Sequence, residues 1–240
     1  MSGSSQDPSP LPQVVSKDIL VDHSKSSWMR LYVPTTALNG GVASKKLPLV
    51  VYFNGGGFTS RSVVESEIFT LVVGGIAREI NVVVASPSYR LAPENKLPAA
   101  YEDFGVYAVE WLRNKSEEDE WLKSYADLSN VFLMGTGTGG NVAYNVGLRF
   151  IEKDLTPLSI RGLILESPLF SGEELFPSNM KKIGRLEWKV MVTGVRGDPL
   201  VDRQRDVAKL MKEKGVDVVE RFDGGDLFTS VRSFIYSSAP

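Results

Sequence analysis

Three short segments of this sequence combine the residue types and spacing that ligand-binding and catalytic loops need. The glycine loop (residues 54–57) reads Asn-Gly-Gly-Gly, the elbow segment (135–141) reads Gly-Thr-Gly-Thr-Gly-Gly-Asn, and the aspartate loop (197–202) reads Gly-Asp-Pro-Leu-Val-Asp. Glycine lets the backbone approach a ligand closely and direct N–H groups at it, which suits an anion or a developing oxyanion. In the aspartate loop, Asp198 is a candidate for orienting a catalytic base. The alternative is a carboxylate that caps the following helix.

The chain is poor in side chains that carry protons or bind metals. It has one histidine, His23, and no cysteine. Disulfides, thiolate metal sites and a cysteine nucleophile are therefore excluded, and no acidic segment has the spacing of a calcium loop. We expect no metal and no cofactor. Any mechanism that needs a histidine base depends on His23, which we interpret as a solvated residue of a hairpin turn.

The elbow segment also matches G-x-G-x-x-G, the fingerprint of dinucleotide binding. That fingerprint belongs to an early strand–helix unit, with an acidic residue about 20 residues further on. Here the segment lies late in the chain, and the candidate acid, Glu166, follows at a greater distance. The segment also lacks the Gly-Lys-Ser/Thr ending of a phosphate-binding loop. Dinucleotide binding remains the weaker interpretation.

Alternating strand and helix patterns must position these segments. Two β-prone runs at 17–21 and 28–33 predict an N-terminal hairpin. The predicted strands that follow cover residues 47–53, 82–85, 131–134, 160–166, 188–193 and 217–222, and the predicted helices cover 65–80, 101–113, 139–150, 201–214 and 228–236. Continuous apolar strands that alternate with helices predict a mostly parallel twisted sheet covered on both faces. The carboxyl ends of its strands, where all three segments begin, are where ligands bind in such sheets.

Size, charge and hydropathy restrict the remaining possibilities. The chain has 240 residues and a formal net charge of −2, which does not favour general binding to nucleic acid. No run approaches the ~18 apolar residues of a membrane span. Residues 1–14 are interpreted as a flexible Ser/Pro-rich lead-in and residues 15–240 as one domain. We expect a cytoplasmic protein with no membrane partner, and the sequence leaves its oligomeric state open.

Several blocks resemble the plant carboxylesterase family, in the hormone-sensitive-lipase-like branch of the α/β hydrolases. They are the three loop segments together with Ser-Tyr-Arg-Leu-Ala-Pro-Glu at 88–94 and Leu-Pro-Ala-Ala-Tyr-Glu-Asp at 97–103. The similarity runs from about residue 15 to residue 222. It implies an α/β-hydrolase fold and small carboxylic esters as substrates. Because this group also includes a hormone receptor, dehydratases and cyclases, the fold alone does not decide the activity.

The resemblance also implies roles for residues near the glycine loop and the elbow. The backbone N–H groups of Gly55 and Gly56 would face the substrate oxyanion, and Gly57 and Thr138 would line the same ligand site. Gly137 occupies the position of the nucleophilic serine. The family's oxyanion-loop histidine is replaced as well, by the asparagine that opens the glycine loop.

The positions of the other two members of the family's catalytic triad, an aspartate and a histidine, are only partly retained. The resemblance puts the triad aspartate on Asp198 and the triad histidine near Asp226 or Leu227. No histidine is present at either place. The segment 171–185 is also much shorter than the family's lid and substrate wall, so the resemblance implies a truncated lid and an open site.

These departures predict a protein without efficient ester hydrolysis. Loss of the serine or the histidine from a comparable triad lowers turnover by about 10⁶. We therefore expect a carboxylesterase-like protein that binds a small apolar or acyl-bearing molecule. Two alternatives stay open: a weak or redirected hydrolase or lyase that uses Asp226 or an oriented water, and a degenerate paralogue without function.

Overall fold

A computed structural model of the chain describes residues 13–22, 27–38, 45–58, 67–88, 92–170, 183 and 188–237. Within these residues, eight strands form one sheet in the order β1-β2-β4-β3-β5-β6-β7-β8. The strands are β1 (Val14–Asp22), β2 (Ser27–Pro34), β3 (Leu47–Phe53), β4 (Val83–Pro87), β5 (Ala126–Thr136), β6 (Ile160–Glu166), β7 (Lys189–Thr193) and β8 (Asp217–Arg221). The helices are α1 (Thr35–Leu38), α2 (Glu67–Ile80), a π-helix (Ala100–Val106), α3 (Tyr107–Lys115), α4 (Glu120–Tyr125), α5 (Thr138–Phe150), α6 (Val201–Glu213) and α7 (Leu227–Ser237).

The pairing confirms the predicted mixed sheet. β1 and β2 form an antiparallel hairpin, β2 pairs antiparallel with β4, and the other neighbouring strands pair in parallel. One face of the sheet packs on α2 and α7, and the other packs on α3, α4, α5 and α6. Since helices cover both faces, the central strands β3 and β4 are apolar and buried along almost their whole length.

Hydrogen bonds beyond the strand ends bring the loops together at the carboxyl edge of the sheet. The N–H of Gly137 donates to the carbonyl of Glu166 over 2.9 Å, and the N–H of Ser167 donates to the carbonyl of Thr193 over 2.9 Å. The N–H of Gly194 then donates to the carbonyl of Arg221 over 3.1 Å. The segments that follow β5, β6, β7 and β8 therefore leave the sheet side by side.

The predicted helix over 101–113 begins differently from the prediction. It starts as the π-helix and becomes an α-helix only at Tyr107. Gly105 lies directly on α5, because a Cβ there would be 1.9 Å from Cγ2 of Val146. The hydroxyl of Tyr101 reaches α5 as well and donates to Oδ1 of Asn141 over 2.7 Å. This close tertiary packing, which periodicity does not encode, accompanies the wider π turn.

Some sequence predictions fall outside the described residues. These are the N-terminal lead-in up to residue 12, the turn that holds His23, most of the shortened segment 171–185 and part of the block 88–94. The assignment of residues 15–240 to one domain stays a prediction. Along the described ranges, no helix combines the length and the apolar character that crossing a bilayer requires.

Candidate functional site

The turn between β5 and α5 has the form of a sharp elbow with Gly137 at its apex. Gly137 has φ 58° and ψ −117°, a conformation that residues with a side chain rarely adopt. Its carbonyl accepts hydrogen bonds from the N–H groups of Gly140 (3.1 Å) and Leu169 (2.9 Å), which hold the turn from two sides. A Cβ built on Gly137 would meet none of the described residues within 4 Å. As far as these residues show, the apex is therefore uncovered, and an uncovered apex is where a strand–turn–helix elbow presents a nucleophile in α/β hydrolases.

The glycine loop is pressed against this elbow. A Cβ on Gly139 would lie 1.9 Å from the carbonyl oxygen of Phe53, and a Cβ on Gly55 would lie 2.8 Å from the carbonyl oxygen of Thr136. Both contacts are with backbone, which has little freedom to move away. Glycine is therefore required where the end of β3 meets the start of α5.

Two of the predicted ligand-site residues contact each other directly. The N–H of Gly57 donates to Oγ1 of Thr138 over 3.2 Å, and Thr138 is buried at the start of α5. Asn54, which is completely buried, donates from Nδ2 to the carbonyl of Gly55 over 3.0 Å. The structure therefore joins the glycine loop to the elbow, while the orientation of the Gly55 and Gly56 N–H groups toward an oxyanion stays a prediction.

Asp198 is half-buried in the loop after β7, and both of its carboxylate oxygens accept hydrogen bonds. The N–H of Leu200 donates to Oδ1 over 2.8 Å, and Nε2 of Gln204 donates to Oδ2 over 2.9 Å. We did not predict Gln204 from the sequence. It lies on the buried face of α6 with Val207 and Met211. A polar side chain on an apolar helix face was the signal that could have identified it.

Asp226 serves as the N-terminal cap of α7. Its exposed carboxylate accepts from the N–H of Phe228 over 3.3 Å, from the N–H of Thr229 over 3.0 Å, and from the hydroxyl of Thr229. These hydrogen bonds, above all the one from the Thr229 hydroxyl, lower the pKa of Asp226. A carboxylate with a lowered pKa is a weak proton acceptor. The structure thus gives Asp226 a local structural task, and its catalytic role stays a prediction.

Glu166, at the end of β6, is the second residue whose role we did not predict. Its half-buried carboxylate accepts from Oγ1 of Thr136 over 2.5 Å, and that hydroxyl lies 2.8 Å from the hydroxyl of Tyr52. Burial raises the pKa of Glu166, and the hydrogen bond from Thr136 lowers it in part. The dinucleotide interpretation took Glu166 as the acidic residue of the fingerprint. Its contact with Thr136 does not favour that interpretation.

The Glu166→Gln variant is expected to be more stable than the wild type at neutral pH. The folded chain raises the pKa of Glu166, so this group's contribution to stability is complete below the unfolded pKa of about 4.3 and is lost as pH rises through the folded pKa. Glutamine keeps an acceptor for Thr136 and has no charge to bury. We expect a gain on the order of 1 kcal/mol at pH 7, or 2–4 °C in Tm.

Urea unfolding between pH 4 and pH 8 measures this effect. The matched control is Glu117→Gln, which changes an exposed glutamate in the turn before α4. If the free energy of unfolding depends on pH in the same way for the wild type and Glu166→Gln, the raised pKa assigned to Glu166 is contradicted.

The described residues contain no group of three histidine, cysteine, aspartate or glutamate side chains close enough to hold a metal ion.

Comparison with known proteins finds plant carboxylesterases among the sequence relatives of this chain. A family model described as the α/β-hydrolase fold matches residues 50–185. Carboxylesterase 20 of Arabidopsis thaliana is 46% identical, and the alignment covers 96% of this chain and 88% of that protein. A 3-O-acetylpapaveroxine carboxylesterase of Papaver somniferum is 34% identical over 85% of this chain and 80% of its own length. The Arabidopsis alignment extends over 291 positions although this chain has 240 residues, so that relative carries segments without a counterpart here.

Solved structures with the same fold include vibralactone cyclase and an arylesterase. The cyclase superposes with a TM-score of 0.72 at 16% identity, covering 95% of this chain and 82% of its own. The arylesterase superposes with a TM-score of 0.70 at 18% identity, covering 93% of this chain and 85% of its own. At these identities the likeness establishes the fold and carries no argument about activity.

Proposed function

The chain belongs to the α/β-hydrolase family, as a relative of the plant carboxylesterases, and from that premise we propose that it binds a small ligand without hydrolysing esters efficiently. The observation that carries the proposal is Gly137 at the apex of the elbow. An acyl-enzyme needs a side-chain oxygen or sulfur at this apex, and glycine has none. The neighbouring Thr136 does not supply one, because an elbow of this kind presents its central residue to the substrate, and the Thr136 hydroxyl instead faces Glu166.

The position of β2, the strand next to the chain's only histidine, supports the same proposal. His23 is the only histidine of the sequence and lies outside the described residues. Strand β2, which follows it, begins at the carboxyl edge beside β4, where the N–H of Ser88 donates to the carbonyl of Trp28. Three strand spacings, about 15 Å, separate β2 from β5. Asp226, near which the resemblance puts the family's histidine, is exposed and has a lowered pKa.

The proposed ligand is a small apolar or acyl-bearing molecule that lies over the elbow. Three features support this ligand: the space above Gly137 among the described residues, the adjoining glycine loop, and the fixed carboxylate of Asp198. The relatives are carboxylesterases by name, so an ester or a molecule of similar shape is the natural ligand class. We place this activity in the cytoplasm, since the chain has no cysteine and shows no membrane-spanning helix among its described residues.

The test measures ester turnover and ester binding in one preparation. We expect p-nitrophenyl acetate to be hydrolysed near the uncatalysed rate, without a burst and without covalent labelling by a serine-directed phosphonate. Saturation-transfer NMR should show saturable binding of the ester. Gly137→Leu, which fills the space above the elbow, should abolish that binding. Gly215→Leu is the matched control, because Gly215 also has positive φ and open surroundings but lies at the turn before β8.

Rapid turnover with phosphonate labelling would overturn the proposal. Turnover without labelling would favour the alternative of a weak or redirected hydrolase. The raised pKa of Glu166, whose carbonyl accepts the Gly137 N–H, makes Glu166 a second candidate base beside Asp226. Loss of turnover in Glu166→Gln, compared with Asp226→Asn, would decide between them. Non-cooperative unfolding of the wild type would favour a degenerate paralogue.

A further inference from the structure

The carboxylate of Asp198 is fixed more firmly than a helix cap requires. A cap needs one acceptor oxygen near the first N–H groups of a helix, and the Leu200 N–H already supplies that contact to Oδ1. The second oxygen accepts from Gln204, whose side chain is completely buried and cannot swing into solvent. The two donors hold the oxygens separately and so set the plane of the carboxylate.

The hydrogen bond to Asp198 fixes the orientation of the Gln204 amide, and this orientation lowers the stability of the fold. Only its Nε2 can face the Asp198 oxygen 2.9 Å away, so Oε1 must point to the other side. There it lies against Gly194, where a Cβ would be 2.4 Å from it. In the part of the chain that the structure describes, this buried Oε1 accepts no hydrogen bond. An unsatisfied buried amide oxygen is destabilising, which indicates that the position of Gln204 serves Asp198 rather than the packing of α6.

Asp198 has acceptor capacity left and finds no counter-ion among the described residues. An ionised carboxylate offers about four lone-pair sites, and two are occupied here. Over the described ranges, no lysine or arginine nitrogen lies within 4 Å of it. A half-buried, oriented carboxylate without a cation is a favourable partner for a positively charged N–H donor.

The position of this carboxylate suits a ligand that also contacts the elbow. β5, β6 and β7 are neighbours in the sheet, so the ends of β5 and β7 are about 10 Å apart, the length of a small molecule. We infer that Asp198, positioned by Gln204, binds a protonated amine of a ligand whose apolar part lies over Gly137. This inference rests on the proposed function and narrows the ligand class to small apolar amines.

Two probes of similar size and different charge test the inference. Benzylamine, protonated at pH 7, and benzyl alcohol are titrated against the full chain by ligand-observed NMR. We expect benzylamine to bind about tenfold more tightly than the alcohol, as a charge-assisted hydrogen bond predicts. The preference should disappear in Asp198→Asn and fall several-fold in Gln204→Met. It should persist in Asp202→Asn, the matched control, since Asp202 is an exposed acid in the first turn of α6.

Each outcome decides between the two proposals. Equal affinity of both probes for the wild type, or an amine preference that survives Asp198→Asn, overturns the role of Asp198. If p-nitrophenyl acetate still binds in a manner sensitive to Gly137→Leu, the proposed function survives that result. If neither the probes nor the ester bind, the proposed function fails as well. Sodium chloride should weaken the amine preference, because the contact is partly exposed.

Discussion

Gly137→Ser combined with Leu227→His should hydrolyse p-nitrophenyl acetate about 10²-fold faster than Gly137→Ser alone. Serine by itself is a poor nucleophile, and a correctly placed base contributes about 10²–10⁴ in rate. Among the described residues the elbow has room for the new side chain, since a Cβ on Gly137 meets none of their atoms within 4 Å. Asp198 is already held by Leu200 and Gln204, so its carboxylate is prepared to orient an imidazole.

The choice between positions 226 and 227 follows from the cap of α7. Replacing Asp226 removes the hydrogen bonds to the first N–H groups of the helix, which costs about 1 kcal/mol. Leu227→His keeps that cap and gives up partly buried apolar contacts instead. Both double variants should be measured, and we expect Leu227→His to give the more stable protein. Gly137→Ser itself should lower stability by about 1–3 kcal/mol, because φ is 58°.

Two further measurements on the double variant serve as controls for the restored catalysis. The serine-directed phosphonate should label the double variant and leave the wild type unlabelled. Adding Asp198→Asn to the double variant should remove most of the gained rate, since the imidazole loses its orienting partner. If both double variants are as inactive as the single one, either Gly137 is not the nucleophile position or residues 226 and 227 do not face it.

Gly139→Ala should destabilise the fold by about 3 kcal/mol or more and loosen the glycine loop from the elbow. The added Cβ would lie 1.9 Å from the carbonyl oxygen of Phe53 and 2.7 Å from that of Asn54. Both obstacles are backbone atoms at the end of β3, so the strand or the start of α5 has to move. Urea denaturation measures the loss. Amide NMR shifts of residues 54–57 and 135–141 report the movement of the two loops.

Gly75→Ala is the matched control for this substitution. Gly75 also lies in a helix, but a Cβ there would meet only the Phe228 ring, at an ordinary 3.8 Å. Alanine has the higher helix propensity, so this variant should gain about 0.5–1 kcal/mol. A loss of unfolding free energy in Gly139→Ala together with a gain in Gly75→Ala would establish the close approach of β3 and α5. A Gly139→Ala protein within 0.5 kcal/mol of the wild type would rule that approach out.

Much of the architecture follows from local pattern alone. The run at 47–53 and the strand at 160–166 appear in the structure with the predicted bounds, because each has an apolar, strand-length centre between polar or glycine-containing turns. The elbow is likewise encoded locally. Glycines at 135, 137 and 139 permit a positive φ at the apex and backbone contact beside it. These features depend on neighbouring residues in the chain, which is why sequence reasoning reaches them.

Contacts between distant segments decided the rest. Glu166 could be assigned to Thr136 and Tyr52 only after parallel pairing had brought the ends of separate strands together. The contact between Gln204 and Asp198 is more local and depends on how the loop after β7 turns into α6. The π-helix likewise reflects the contact between Gly105 and α5. Burial raises the pKa of Glu166, and the hydrogen bond from Thr136 lowers it in part. The hydrogen bonds from Leu200 and Gln204 set the orientation of Asp198. Such effects depend on which groups meet in space. Residue type and spacing alone therefore determined the scaffold and the glycine-rich elbow, while the folded chain determined which polar groups contact each other beside that elbow.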